Sequence, residues 1–131
     1  SNTEYCAAAY LDLHWPLQEK TSLSADEMEA MLTEKIGLLP EGGYRYRSGH
    51  FSHIFAGGYS AGYYSYLWSA VLDKDAYAYF KDGDLFDEDK AKRLRKLVYS
   101  AGNTKDPMAQ YVAFRGREPD ADALMKARGL L

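Results

Sequence analysis

Apolar residues along this chain recur at helical spacing, with little strict alternation. Glu4 to Trp15, EYCAAAYLDLHW, is apolar on nearly every side of a helix, and Pro16 ends it. A helix of that kind is usually covered from all directions, which is difficult in a chain of 131 residues. Asp12 and His14, two apart, face different ways on it, so they read as structural and not as a catalytic pair. The next helix is signed at both ends. Ser24 and Glu27 form an S-x-x-E capping box, Leu23 and Met28 a hydrophobic staple, and Gly37 followed by Pro40 stops the helix. Met28, Met31, Leu32 and Ile36 supply its apolar face, the methionines as gap-fillers. The loop GLLPEGGYRYRSG follows, in which Tyr44 to Arg47 alternates aromatic and basic residues as a short strand or extended segment.

The stretch from His50 to Trp68, HFSHIFAGGYSAGYYSYLW, concentrates two histidines, a Gly-Gly pair and four tyrosines. On a helix, Tyr59, Tyr63 and Tyr66 fall within about 60° of one another. Tyr64, Leu67, Trp68 and Val71 fall on a different, apolar side that should pack. The phenol column has two readings: the amphipathic rim of a core, or a ligand-facing surface of donors. Gly57-Gly58 weighs toward the second. Paired glycines inside a helix cost on the order of 1–2 kcal/mol against alanine, so they mark a bend, a mobile loop or a close backbone approach.

The helix is expected to continue to Lys81, with Gly83 breaking it. Asp87 is the N-cap of the following helix, with Ala91, Leu94, Val98 and Ala101 on its buried side and Lys90, Lys92, Arg93, Arg95 and Lys96 on a basic, solvent-facing side. Gly102 stops it, and Asp106-Pro107 restarts the next helix as N-cap and first helical residue. Arg115-Gly116-Arg117 interrupts that helix. These arginines either brace the turn against Asp106, Glu118 or a helix end, or recognise a peptide carboxylate. A last helix runs from about Asp120 to Arg128, ending at Gly129. The expected fold is all-α, a compact multi-helix bundle in one domain spanning 1–131.

Composition narrows the function classes. A formal charge of −3, with only two arginines interleaved among aromatics at 44–47, argues against a nucleic-acid partner. No apolar run approaches the ~20 residues that span a bilayer, so no membrane role is expected. A single cysteine, Cys6, fits a reducing compartment, hence cytoplasm, with periplasm as the alternative. Ser1-Asn2 reads as a cloning remnant.

FSHIFAGGYSAGYYSYLW resembles the glycine- and tyrosine-rich segment near the C-terminus of zinc metallopeptidases of the thimet-oligopeptidase type, on the oligopeptidase A and peptidyl-dipeptidase branch. DPMAQYVAFRGREPDADALMKARGLL resembles that family's closing segment. The likeness covers most of the chain from about Tyr44 onward, and before that only AAAYLDLHW is similar. It implies a largely helical enzyme that hydrolyses short peptides. It also implies that Tyr66 and Tyr59 donate hydrogen bonds to the oxyanion, that His53 contacts substrate backbone, and that Gly57, Gly58 and Tyr63 line the peptide.

The family's zinc site is HExxH on one helix plus a downstream glutamate. None of His14, His50 and His53 begins an HExxH, and Ser52 and Ile54 beside the latter pair supply no carboxylate base. The chain is therefore expected to be the C-terminal, substrate-binding part of a larger peptidase, binding no metal itself and inactive alone. Its partners would be short peptides and the remainder of the parent chain, with self-association through exposed apolar surface. Two alternatives stand beside this. A non-catalytic helical binding or scaffold module would need the phenols packed inside. A phosphate-binding glycine loop ranks last, because AGGYSAG lacks the P-loop lysine.

Overall fold

A computed structural model describes residues 2–20 and 22–131; Ser1 of the supposed cloning remnant lies outside them. The described residues are all-α, with helices α1 (Asn2–His14), α2 (Ala25–Ile36), α3 (Ser52–Phe55), α4 (Ser65–Lys81), α5 (Glu88–Leu94), α6 (Pro107–Arg115) and α7 (Asp122–Ala127). Their contacts fall into two units, one ending at Leu67 and the other beginning at Trp68, so α4 contributes to both.

In the first unit Ala8, Ala9 and Leu11 of α1, Leu32 of α2, Phe51, Ile54 and Tyr63 form one buried cluster. Tyr5, Trp15, Ile36, Tyr44, Tyr46 and Leu67 pack around it. The predicted capping box of α2 is formed: the Glu27 amide donates to Ser24 Oγ at 3.3 Å, and the Ser24 amide donates to Glu27 at 2.7 Å. Gly37 closes α2 in the left-handed conformation at φ 65°. Met28 and Leu32 are buried as expected, but Met31 is exposed and Glu29 takes a place inside. Glu29 can be buried because its carboxylate is fully used. It accepts the Ser48 amide at 2.5 Å and pairs with the Arg47 guanidinium, which also reaches Asp26 at 2.5 Å. Those bonds fix residues 44–50 as bends and a 3₁₀ turn, Ser48–His50, in place of the short strand considered for Tyr44–Arg47. Trp15 Nε1 donates to Ser48 Oγ at 3.0 Å and ties the end of α1 to the same turn.

The second unit is centred on Phe114, with the Tyr79, Phe80 and Tyr111 rings against it at 5.5, 6.3 and 6.2 Å. Leu72, Asp75 and Tyr79, spaced 3 and 4 apart, make the packed seam of α4. Tyr64, which precedes α4, and Trp68, one turn before Leu72 on the same side of α4, were expected to pack but are exposed. The sequence offered no sign that a carboxylate would occupy the seam. Asp75 is buried, accepts from Tyr111 Oη at 2.7 Å and pairs with Arg117 at 2.5 Å and Arg115 at 3.2 Å. Arg115, the last residue of α6, and Arg117 therefore brace the fold against Asp75, and Arg117 also donates to the Glu118 carbonyl at 2.7 Å.

Asp87 and Asp106 cap α5 and α6 as predicted. The buried side expected beyond Asp87 is only half-covered at Leu94, Val98 and Ala101, and Ala91 is exposed. The backbone there widens into a π-helical stretch, Arg95–Tyr99. Two cations of α5, on the side expected to face solvent, are not simply solvated. Lys90 donates to the carbonyls of Tyr79 and Asp82, and Arg93 to those of Ala113 and Phe114 at the end of α6.

Burial, and then the bond to Asp75, push the Tyr111 phenol well above its ordinary 10.0. Native Tyr111 keeps its proton where an unfolded chain would lose it. Its contribution to stability is thus complete below about pH 10 and is lost as pH rises above that. Denaturant titrations across this range should show the wild type losing stability more steeply than Tyr111→Phe. Parallel curves would mean that the phenol titrates normally.

Candidate functional site

The histidine and tyrosines of the central stretch come together in the first unit, by a route the helical wheel did not foresee. Tyr59 and Tyr63 are not on a helix. α3 ends at Phe55 and α4 begins at Ser65, and residues 56–64 form a loop between them. Two causes defeat a continuous helix. Gly58, at φ 77°, and Ala61, at φ 55°, are left-handed. The Asp12 carboxylate also captures the amides of Ala61 and Tyr63, each at 2.8 Å, before they can bond within a helix.

The loop is tied at both ends by backbone bonds. The Ala56 and Gly57 amides donate to the Ser52 carbonyl, each at 2.8 Å, and the Tyr59 amide donates to that of His53 at 3.0 Å. Farther on, the Gly62 amide donates to the Tyr59 carbonyl at 2.8 Å and the Tyr66 amide to that of Tyr63 at 3.2 Å. Gly57 is needed sterically. A Cβ there would lie 3.0 Å from both Cα and carbonyl oxygen of His53 and 3.3 Å from the Ser52 oxygen, all backbone atoms.

The resulting aromatic group has an inside and an outside. Tyr59 and Tyr66 stack at 5.6 Å with 21° between their planes, and they are 41% and 38% exposed. The His53 ring, half-buried, stands 6.1 Å from Tyr59 and 6.4 Å from Tyr66. Tyr63 was expected among the peptide-facing phenols, but at 3% exposure it lies beneath them, 5.0 Å from Tyr66 and 5.7 Å from His53. The residue after a left-handed turn, with its amide drawn onto Asp12, has its ring carried into the core. Phe51 and Tyr46 complete the floor, at 5.0 and 6.3 Å from Tyr63. Ser52, His53, Ala56, Gly57 and Tyr59 line an open recess of about 300 Å³ beside the pair. Contact with Tyr59, followed by partial loss of hydration, raises the Tyr66 phenol above its ordinary value, so it is a protonated donor at neutral pH. Burial raises Tyr63 likewise. Tyr59 and Tyr66 with His53 can therefore present hydrogen-bonding groups to a peptide along an open face.

The model for peptidase family M3 matches residues 4–130. The chain belongs to peptidase family M3. It is 39% identical over 132 aligned positions to a dipeptidyl carboxypeptidase of Salmonella typhimurium, covering 98% of this chain and 19% of that protein. A probable cytosolic oligopeptidase A of Arabidopsis thaliana is also 39% identical, over 95% of this chain and 18% of its own length. Oligopeptidase A of Haemophilus influenzae is 47% identical over 81 residues, 62% of this chain and 12% of the relative. This M3 chain thus spans a fifth or less of the length of these relatives.

No group of three or more His, Cys, Asp and Glu side chains that could hold a metal ion occurs among the described residues of this M3 chain. The described residues do not fit a zinc site, and no chemical step at a metal is derived from them. No described helix is long and apolar enough to cross a membrane. The residues that sequence reasoning missed are Asp12, Tyr46 and Phe51. The signal available for Asp12 was its place as a lone acid in the apolar run CAAAYLDL.

The tight packing at Gly57 is testable by denaturant unfolding. Gly57→Ala should lower stability by roughly 1–3 kcal/mol, as overpacking against backbone does. Gly49→Ala, whose methyl meets nothing within 4 Å, should leave stability unchanged or slightly higher. Equal stabilities would show that the loop yields to the added methyl.

Proposed function

We propose that this chain is the substrate-binding part of a zinc-dependent oligopeptidase or peptidyl-dipeptidase that hydrolyses short peptides, with the zinc held by residues outside this chain. The observation that carries this reading is the exposed Tyr59–Tyr66 pair beside His53, set by a loop and helix start that Asp12 holds through the Ala61 and Tyr63 amides. A non-catalytic scaffold module would need the phenols packed inside; here only Tyr63 of the three is buried. Tyr66 and Tyr59 donate to the oxygen that gains charge as the scissile amide is attacked. His53 contacts the peptide backbone. Gly57 and Gly58, both exposed and without side chains, let an extended peptide lie close to the loop. Tyr63 acts from below, as the ring on which Tyr66 and His53 rest.

The partners in this reading are short peptides and the remainder of the enzyme, with neither nucleic acid nor membrane, in the cytoplasm and, as second choice, the periplasm. Arg115 and Arg117 are assigned no carboxylate-recognition role, because Asp75 engages both. Apolar side chains at Tyr10, Leu13 and Leu17 of the first unit are exposed, as are Phe55 and Trp68. They suit burial against the rest of the enzyme. By itself the 131-residue chain should self-associate in sedimentation velocity, and Leu13→Lys with Leu17→Lys should reduce this. A concentration-independent monomer would count against an incomplete surface.

The direct test of the donor role is Tyr66→Phe in the full-length enzyme. Loss of one oxyanion donor typically costs 10²–10³-fold in kcat, so a fall of about that size is expected with KM nearly unchanged. Wild-type kcat in the variant would remove Tyr66 from the chemistry.

A further inference from the structure

Asp12 is fully buried on α1, and none of the ion pairs found among the described residues involves it. Withdrawing a carboxylate from water is costly unless it is well hydrogen-bonded. Its two oxygens each take a backbone amide from the distant loop: Oδ1 accepts Ala61 N–H and Oδ2 accepts Tyr63 N–H, both at 2.8 Å. Side-chain amides or hydroxyls cannot substitute equivalently. An asparagine offers one acceptor oxygen and turns an NH₂ toward the other N–H.

What the carboxylate holds is also strained. Ala61 has φ 55°, and among the described residues no other non-glycine has positive φ. A left-handed non-glycine costs on the order of 1–3 kcal/mol and persists only where its surroundings over-determine it. Both exposed phenols hang from the segment so held. Tyr59 is joined to it through Gly62 N–H to its own carbonyl, and Tyr66 through its amide to the Tyr63 carbonyl in the lead-in to α4. One buried carboxylate therefore sets the spacing of two hydroxyl groups that it does not touch.

We propose that Asp12 is a positioning residue for peptide hydrolysis, holding the 59–66 segment so that the Tyr59 and Tyr66 hydroxyls stand in place beside His53 before substrate arrives. This rests on the reading that the pair contacts the peptide. Geometry fixed in advance matters because a misplacement of about 1 Å can cost roughly 10²-fold in rate. A preorganised donor also requires no reorganisation during the reaction.

The test uses the full-length enzyme with Asp12→Asn, alone and combined with Tyr66→Phe, with kcat and KM measured for a short peptide. Hydrogen exchange by mass spectrometry is followed in the peptides covering residues 56–66 and in those covering α2. Asp12→Asn is expected to lower kcat by about 10-fold or more, with KM within about 3-fold. In the Tyr66→Phe background the further loss should be clearly smaller, because one of the two positioned hydroxyls has gone and only Tyr59 is left to misplace. Exchange should rise in 56–66 and not in α2. Equal losses in both backgrounds, or faster exchange in 56–66 without a fall in kcat, would overturn the positioning role alone. Wild-type kcat in Tyr66→Phe would overturn the donor reading and the inference together. If Asp12→Asn does not fold, Asp12→Asn/Ala61→Gly, freed of the left-handed strain, is measured with the same outcomes.

Discussion

A buried carboxylate answered by two backbone amides is the constraint on which the first unit depends. The central loop is rich in glycine and contains a strained alanine, so local preference does not hold it in one shape. Its conformation comes from α1, some fifty residues earlier in the chain, through Asp12. The cost of burying that charge is offset by placing two otherwise orphaned N–H groups ahead of α4. The unit thus trades a helix start for a loop, and the loop turns two phenols outward and one inward.

The same device recurs. Glu29 fixes the turn before His50 by accepting the Ser48 amide and pairing with Arg47. In the second unit Asp75 gathers Tyr111, Arg115 and Arg117. In each case a buried acid on a helix engages groups distant in sequence, an irregular segment for Asp12 and Glu29 and the end of α6 with Arg117 for Asp75. Apolar packing alone leaves such segments free to slide, because it is non-directional. Hydrogen bonds to a fixed carboxylate specify direction as well as proximity.

Much of this could be read in the sequence wherever the signal was local. The capping box at Ser24 and Glu27, the caps at Asp87 and Asp106, the stop at Gly37 and the all-α class all depend on neighbours within a few residues. The grouping of His53 with Tyr59, Tyr63 and Tyr66 was also anticipated, although the helical wheel gave the wrong cause and put Tyr63 on the wrong side. What could not be read was the destination of each buried acid. Asp12 and Asp75 look alike in sequence, as acids inside apolar helices, yet one meets amides and the other guanidinium groups. Both partners lie more than thirty residues away. Exposure at Tyr64 and Trp68 was equally hidden: Trp68 shares a side of α4 with Leu72 and Asp75, yet it is exposed.

The central claim is spatial: the hydroxyls of Tyr59 and Tyr66, held outward by this loop, meet a peptide at the atom where charge develops. It is tested most directly by a structure of the full-length enzyme bound to a phosphinic peptide, whose tetrahedral phosphinyl group resembles the hydrated amide. At least one of the two hydroxyls, Tyr66 first, should lie about 2.7–3.1 Å from a phosphinyl oxygen. Both hydroxyls remaining more than about 5 Å from the phosphinyl group, well beyond hydrogen-bond reach, would contradict the account.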